Sequence, residues 1–291
     1  MPTSADTPAA EPPLPAAEVD ALEVLAVDAA QAAARLVIDE RPSRVAAATT
    51  KSSPTDVVTV MDQRSEELLR SLLLSARPDD AILGEEGADH PGTSGVTWVL
   101  DPIDGTVNYL YDVPAYAVSV AAVVGDPRVP GAWSVVAAAV AHPSAGAVFH
   151  ARVGGGAWRR GHDGSETRLG VGSATALDAA LVGTGFAYTA ERRRVQAQLL
   201  VDVLPQVRDI RRIGSAALDL CLVAAGQLDG YYELGLNAWD FAGGWLVLTE
   251  AGGVFTGPGG GAPSGRLSVA GNADVQRQLL QLVDRADLDW V

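Results

Sequence analysis

The sequence predicts a layered protein in which an α+β half is followed by an α/β half. The chain has 291 residues, 48% of them hydrophobic, and can therefore bury a substantial core. In its first half, three consecutive apolar segments separated by Gly/Pro turns are typical of an antiparallel meander. In its second half, strand-like and helix-like segments alternate, which is typical of βαβ units.

The first half begins with a predicted helix over residues 17–40, where Ala, Leu and Val recur at helical spacing until Pro42. A short strand is predicted in "DVVTVMD" and a second helix over residues 62–76. Two apolar strands that end in acids follow in "AILGEEG" and "VTWVLD". The meander consists of "AYAVSVAAVVGD", "WSVVAAAVAH" and "GAVFHARV".

After Gly170 the pattern changes to alternating strands and helices. The predicted strands are "ALVGTGF", "RDIRRIG", "DGYYELG" and "GGVFTG", and helices are predicted over residues 189–207, 215–226 and 239–251. We accordingly divide the chain into a disordered, Pro/Ala-rich tail (1–17), an N-terminal half (18–160) and a C-terminal half (161–291).

Charge and cysteine content argue against several classes of protein. The formal net charge is −15, with 36 acidic and 21 basic residues, which opposes binding to nucleic acid or anionic membranes. The single cysteine, Cys221, rules out internal disulfides and thiolate metal clusters. No apolar run approaches the roughly 18 residues of a membrane span, and the N-terminus lacks the pattern of a secretory signal. We therefore expect a soluble cytoplasmic protein.

Two aspartates stand at the end of an apolar strand in "VLDPIDGTVNYLY". Pro102 ends the pairing of this strand, and the turn lets Asp101 and Asp104 converge on one side. Gly105 permits close approach, and Thr106 begins a short helix whose free amides suit a phosphate. In this segment alone, an equally simple reading is that Asp104 caps the helix and Asp101 faces solvent.

Acids at two other element ends favour a metal site. Glu85 and Glu86 close the strand in "AILGEEG", and Asp240 begins an apolar helix in "NAWDFAGG". Carboxylate oxygens are the ligands that Mg²⁺ prefers, whereas the scarcity of histidine and cysteine argues against zinc.

Five motifs together resemble those of the inositol monophosphatase family, the lithium-sensitive, magnesium-dependent phosphatases. They are, in chain order, "KSSPTDVVTVMD", "GEEG", "WVLDPIDGTVNYLY", "RRIGSAALDLCLVAAGQLDGYYELG" and "AWDFAGG". The resemblance covers about residues 18–257. It implies a layered αβαβα sandwich of the inositol monophosphatase and sugar phosphatase type, assembled as a homodimer.

The resemblance also implies the metal ligands and the catalytic residues. Two or three Mg²⁺ ions would be held by carboxylates and one carbonyl. The first ion would take Glu85, Asp101 and the carbonyl of Ile103, the second would take Asp101, Asp104 and Asp240, and Glu85 would share a weaker third. The amides of Gly105 and Thr106 would hold the phosphoryl group. Thr106, hydrogen-bonded to Asp56, would orient the attacking water together with Glu85.

The substrate contacts implied by the resemblance lie mainly in the second half. They are Asp104, Gly105, Thr106, Gly214, Ser215, Ala216, Glu233 and Asp240. Arg211 and Arg212 border the substrate motif and are expected to line the pocket or a dimer contact. Lys51 is either a loop lysine that reaches the metal site or an ordinary solvated lysine.

The expected reaction is Mg²⁺-dependent hydrolysis of myo-inositol monophosphate by a metal-activated water. Glu233, as an acceptor for ring hydroxyls, favours inositol phosphates over histidinol phosphate. Fructose-1,6-bisphosphate and 3′-phosphoadenosine 5′-phosphate are alternative substrates. A moonlighting regulatory protein with protein partners is the alternative from another class.

Overall fold

The computed structural model describes residues 14–51 and 56–285. Within them, the helices are α1 (Ala16–Asp39), α2 (Val60–Ala76), α3 (Thr106–Tyr111), α4 (Ala190–Val203), α5 (Ala216–Ala224), α6 (Ala238–Glu250) and α7 (Ala273–Val283). The strands are β1 (Ala47–Thr50), β2 (Val57–Thr59), β3 (Ala81–Gly84), β4 (Val96–Asp104), β5 (Ala117–Gly125), β6 (Trp133–His142), β7 (Ala147–Arg152), β8 (Gly156–Arg160), β9 (Glu166–Arg168), β10 (Leu181–Thr184), β11 (Asp209–Arg211), β12 (Gly230–Glu233), β13 (Val254–Thr256) and β14 (Ser268–Gly271).

Two large sheets form the frame of the molecule. The first has seven strands in the order β3-β4-β5-β6-β7-β8-β9, and only its β3–β4 pair is parallel among the described strands. The second has five strands in the order β11-β10-β12-β14-β13, in which β10 runs parallel to both of its neighbours. The predicted meander and the parallel pairing in the second half are therefore confirmed.

The helices and sheets stack in five layers. Helices α1 and α2 cover one face of the seven-stranded sheet, and α5 and α6 pack between the two sheets. Helix α7 covers the outer face of the five-stranded sheet and contacts α4. This is the αβαβα sandwich implied by the family resemblance. None of the helices in the described part of the chain is both long and apolar enough to cross a bilayer.

Small residues and aromatic residues fill the core on the two faces of the seven-stranded sheet. On α1, Ala26, Ala30 and Ala33 are fully buried, and their short side chains let the helix lie close to the sheet. Between the sheets, four aromatic rings pack with centroids 5.1 to 6.1 Å apart. They belong to Trp133, Phe241, Trp245 and Phe255.

Several element boundaries differ from the sequence prediction. Helix α2 begins at Val60, because Thr59 caps it and Asp62 completes a capping box with the Thr59 backbone. Strand β4 continues past Pro102 to Asp104 through a shift in register, so the prediction that Pro102 ends its pairing is wrong. Strands β1, β8, β9 and β14 and helix α7 were not predicted.

The change from the first sheet to the second falls after residue 168, because β9 still pairs with β8. That point lies eight residues beyond the predicted division at 160/161. The division into two halves stays a prediction. The predicted tail lies mostly outside the described residues, and α1 begins at Ala16.

His150 links helix α1 to strand β9 and should make stability depend on pH. Its Nδ1 lies 2.8 Å from Glu23 Oε1, and its Nε2 lies 3.1 Å from Glu166 Oε2. Burial alone would lower the pKa of His150, but hydrogen bonds and charge from the two glutamates outweigh it and raise the pKa. The protonated ring therefore stabilises the fold fully below about pH 6.5, and this contribution is lost as pH rises through the raised pKa.

We expect His150→Gln to lower the free energy of unfolding by about 1–3 kcal/mol at acidic pH and by less at alkaline pH. Urea unfolding at about pH 6 and pH 8.5 measures the difference. His162→Gln, at an exposed position, is the control. A loss that is equal at the two pH values, or larger at the alkaline one, would contradict the assignment.

Candidate active site

A cavity of about 420 Å³ opens where the two sheets meet α5 and α6. Most of the residues predicted to form the site line it, and they come from both halves of the chain. They are Asp56, Glu85, Asp101, Ile103, Asp104, Gly105, Thr106, Gly214, Ala216, Glu233 and Asp240.

The parallel pair β3–β4 places two of the acids side by side. Gly84 on β3 is paired with Leu100 on β4, and the amide of Glu85 donates to the Leu100 carbonyl over 3.2 Å. Glu85 and Asp101 therefore both leave the sheet at the same edge. Their carboxyl groups are close enough to hydrogen-bond to each other.

The register shift in β4 brings Asp104 to the side of the sheet on which Asp101 lies. Asp104 Oδ2 accepts hydrogen bonds from Ser215 Oγ and from the amide of Ala217, each 2.7 Å long. Asp104 is thus held by the first turn of α5, while Gly105 occupies the N-cap position of α3 with φ 98°. Because Asp101 is only 1% exposed, the reading of a solvent-facing Asp101 and a capping Asp104 is wrong.

Asp240 reaches the cavity from the first turn of α6. Its Oδ2 accepts the amide of Asn237 over 2.5 Å, which closes a capping box. The same carboxylate therefore fixes the start of α6 and lines the cavity.

The clustered acids hold their protons more tightly than usual. Burial raises the pKa of Asp101 well above its ordinary value, and the charges of Glu85, Asp104 and Asp240 raise it further. Burial also raises the pKa of Asp104 to about 6. The pKa of Glu85 rises to about 7, again through burial, although the neighbouring Lys51 opposes the rise. The cluster thus favours anything cationic that can enter it.

Lys51 is a cationic residue that contacts the acid cluster. Its Nζ lies 2.8 Å from Glu85 Oε1 and also contacts Glu86. Lys51 also lines the cavity, so the interpretation of it as a loop lysine that reaches the acid cluster is correct.

The donor set suits a hard divalent cation. Carboxylate and backbone oxygens dominate the acid end of the cavity, and their mutual repulsion would be relieved by bound positive charge. In the conformation seen, no group of three or more histidine, cysteine or acidic side chains among the described residues is arranged to hold an ion. The residues at this end of the cavity nevertheless fit a hard divalent metal ion in their chemistry.

The predicted partner of Thr106 is wrong. Thr106 Oγ1 lies 2.9 Å from Asp62 Oδ1 and 3.1 Å from the carbonyl oxygen of Ile103, and its single proton can serve one of these acceptors. Asp56 lines the cavity, but it is the fully buried Asp62 that meets the Thr106 hydroxyl. Both aspartates belong to "KSSPTDVVTVMD", and spacing along that motif does not distinguish them.

Two predicted substrate contacts lie outside the cavity. Arg211 forms an ion pair with Asp209 at 2.6 Å on the exposed strand β11, and the next residue, Arg212, lines the cavity instead. Neighbouring side chains in an extended chain point to opposite sides, which explains why Arg212 faces the cavity and Arg211 does not. Ser215 is buried and donates its hydroxyl to Asp104.

The structure adds residues that were not predicted as site residues. The segment between β10 and α4 contributes Phe186, Ala187, Tyr188 and Thr189, and α4 contributes Arg192. The charges of four cavity acids, Asp104 first among them, act together with burial to raise the pKa of Tyr188, so its hydroxyl stays a donor. No spacing or composition signal marked this segment.

Comparisons of sequence and of structure with known proteins both agree with the family resemblance. The model of the inositol monophosphatase family matches residues 18–287. Inositol-1-monophosphatase of Mycobacterium leprae is 50% identical over 241 residues, which is 79% of this chain and 80% of that protein. The structure of Mycobacterium tuberculosis SuhB superposes with a TM-score of 0.76 at 43% identity, covering 91% of this chain and 96% of that one.

A relative that is named for a different role is also similar to this chain. The Nus factor SuhB of Escherichia coli is 35% identical over 261 residues, which is 88% of this chain and 93% of that protein. The family match covers nearly the whole described chain, and the acids that carry the family motifs share one cavity. The chain therefore belongs to the inositol monophosphatase family and is a phosphatase.

Proposed function

We propose that this protein hydrolyses myo-inositol monophosphate to inositol and phosphate in a Mg²⁺-dependent reaction with a metal-activated water. The observation that carries the proposal is that four acids from three separate parts of the fold line one cavity: Glu85 after β3, Asp101 and Asp104 on β4, and Asp240 on α6. The names of the mycobacterial relatives support the choice of substrate.

The proposed metal ligands are those at the acid end of the cavity. Two or three Mg²⁺ ions would be held by Glu85, Asp101, Asp104, Asp240 and the carbonyl of Ile103. Bound Mg²⁺ would lower the pKa of a water and neutralise charge on the phosphoryl group. Because the water itself would be activated in this way, no nucleophilic side chain is needed.

The remaining catalytic roles fall to the start of α3. The amides of Gly105 and Thr106 would donate to the phosphoryl oxygens, since the N-terminal amides of a helix have no partner within it. The Thr106 hydroxyl, with its proton directed at Asp62 or Ile103, keeps its lone pairs for accepting a hydrogen bond from the attacking water and so would orient it. Glu85 would take part in removing a proton from that water.

The other end of the cavity is suited to a polyol. Glu233 lies in the wall with Arg212, and Tyr231 donates its hydroxyl to Glu233 Oε2. A carboxylate accepts hydrogen bonds from two hydroxyl groups at once. We therefore propose that Glu233 and Asp104 accept hydrogen bonds from hydroxyls of the alcohol, next to the backbone of Gly214 and Ala216.

A panel of phosphate esters tests the proposal. Phosphate release is measured with and without Mg²⁺ for myo-inositol 1-phosphate, histidinol phosphate, fructose-1,6-bisphosphate and 3′-phosphoadenosine 5′-phosphate. We expect the highest kcat/KM for the inositol ester and no turnover after metal removal. A dominant kcat/KM for another ester would replace the substrate and keep the chemistry.

We expect the two neighbouring arginines to behave differently. Arg212→Gln should lower kcat/KM for inositol 1-phosphate by about tenfold, because it removes the cation that faces Asp104 and Glu233 in the cavity. Arg211→Gln is the matched control and should change kcat/KM by less than about twofold, since that side chain makes an exposed ion pair. Equal losses in the two variants would contradict the placement of Arg212.

Magnesium should raise the melting temperature. Ligand that binds only the folded state stabilises it by about 2.7 kcal/mol at a concentration one hundred times its Kd. The control is KCl at matched ionic strength, because salt also screens the net charge of −15. A melting curve that responds equally to both salts would count against the metal site.

Three further features belong to the same proposal: inhibition by lithium, assembly as a homodimer and a cytoplasmic location. Family membership supports the first two. The Nus factor relative supports an additional regulatory role through protein partners. Stoichiometric capture of a transcription protein by a variant that lacks phosphatase activity would favour that role, whereas the acidic charge opposes direct RNA binding.

A further inference from the structure

A buried acid that the proposed mechanism does not use lies behind the polyol end of the cavity. Asp219, in the first turn of α5, is 1% exposed, and within the described residues its Oδ1 has no hydrogen-bond partner. Burying an ionised carboxylate with an unpartnered oxygen is costly, so burial favours the protonated form of such an acid.

The chain leaves room for this carboxyl group at a glycine. A Cβ atom at Gly183 would lie 2.8 Å from Asp219 Oδ1 and 3.2 Å from the ring of Tyr231. The Asp219 carboxyl and the Tyr231 ring therefore both lie against Gly183 of strand β10.

The Glu233 carboxylate lies in the corresponding space beside Gly185, two residues after Gly183. A Cβ atom at Gly185 would lie only 1.9 Å from Glu233 Oε2. Positions two apart in an extended chain share a face, so Asp219 and Glu233 stand on the same side of this segment, with Glu233 nearer the cavity. The Tyr231 ring lies beside Gly183, as Asp219 does, while its hydroxyl donates to Glu233.

We propose that Asp219 is a positioning residue for polyol recognition. Its carboxylic acid is neutral and holds Tyr231 and Glu233 in place from the side away from the cavity. Glu233 is then the negatively charged group of this wall. The inference rests on the proposed role of Glu233 as an acceptor for substrate hydroxyls. Other charged and titratable groups that face Asp219 agree with a neutral state. Asp104 and Glu233 repel a charge there, Arg212 attracts one more weakly, and burial together with this repulsion raises the pKa of Asp219 well above its ordinary value.

Kinetics with two esters test the positioning role. Asp219→Ala should raise KM for inositol 1-phosphate by about five- to tenfold, because the Tyr231–Glu233 pair loses its support. The effect on phenyl phosphate, which offers no hydroxyl groups, should be smaller. Asp219→Asn, which matches the neutral acid in shape and charge, should restore KM. Equal losses for the two esters, or no rescue by Asn, would overturn the positioning role.

Two measurements test the neutral state. On the acid side, the pH at which KM for inositol 1-phosphate rises should be the same in the wild type and in Asp219→Asn; a shift to lower pH would show that Asp219 carries a charge and would overturn the proposal. The infrared difference between these two proteins at neutral pH should contain the C=O stretch of one protonated carboxylic acid, and its absence would overturn the proposal as well.

The infrared result does not depend on activity. If the wild type hydrolyses no polyol phosphate, the proposed function and the positioning role fail together, while the infrared band still decides whether Asp219 is neutral. If Asp219→Ala does not fold, the rescue comparison is replaced by Asp219→Ser with the same two esters and the same expected difference.

Discussion

Asp104→Asn is expected to lower phosphatase turnover by more than about 100-fold at saturating Mg²⁺. Loss of a residue that only orients a metal ligand already costs about 10- to 100-fold, and Asp104 is proposed as a ligand itself. Both hydrogen bonds that hold the side chain, from Ser215 and Ala217, go to Oδ2. An asparagine that places its carbonyl oxygen there keeps these bonds, and its amide nitrogen replaces Oδ1.

The fold should tolerate this change. The folded protein holds the Asp104 proton more tightly than the unfolded chain, since burial raises the pKa to about 6. At neutral pH the ionised side chain therefore destabilises the metal-free fold, and asparagine removes that penalty. We expect a metal-free melting temperature no lower than that of the wild type and a smaller increase on addition of Mg²⁺.

Phosphate release and thermal melting on the same samples separate the two effects. Asp163→Asn, an exposed aspartate in the loop between β8 and β9, is the matched control and should leave both measurements unchanged. Near-full turnover of Asp104→Asn at saturating Mg²⁺ would remove Asp104 from the metal site.

Local patterns in the sequence were enough to predict most of the helices and the meander. Helix α1 has apolar residues at helical spacing, and the three strands of the meander are long, apolar and bounded by turns. Helix α7 shows the same kind of signal, with Val275, Leu279 and Val283 four residues apart and all buried, and it was overlooked. Strands β8 and β9 are short and partly exposed, and they exist only because each pairs with a neighbouring strand.

The acids of the site were predictable for a different reason. Glu85, Asp101 and Asp240 each stand at the end or the start of an apolar element, and such positions meet at the edges of layers. The contacts between particular side chains were harder to predict from the sequence. Whether Arg211 or Arg212 faces the cavity depends on the twist of a three-residue strand, and Asp62 lies 44 residues from its partner Thr106.

The Asp62–Thr106 pair leads to a second large effect, which also separates the two candidate partners of Thr106. Asp62 Oδ2 accepts the amide of Thr59 over 2.7 Å and also its hydroxyl, while Oδ1 meets the Thr106 hydroxyl. Asp62→Asn can keep its carbonyl oxygen toward Thr59 and so preserve the cap of α2. Its amide nitrogen then replaces Oδ1, and a donor faces Thr106 in place of an acceptor.

We expect Asp62→Asn to lower kcat by about 10- to 100-fold with little loss of stability, because the new amide group donates to the Thr106 oxygen and competes with the attacking water for its lone pairs. Asp56→Asn is the matched comparison within the same motif and should cost less. In a double-mutant cycle, Thr106→Val should add little to Asp62→Asn, since both changes remove the same interaction, and should add its full effect to Asp56→Asn. The reverse pattern, with Asp56 coupled to Thr106 and Asp62 independent of it, would show that Asp56 is the working partner and that the contact with Asp62 only caps helix α2.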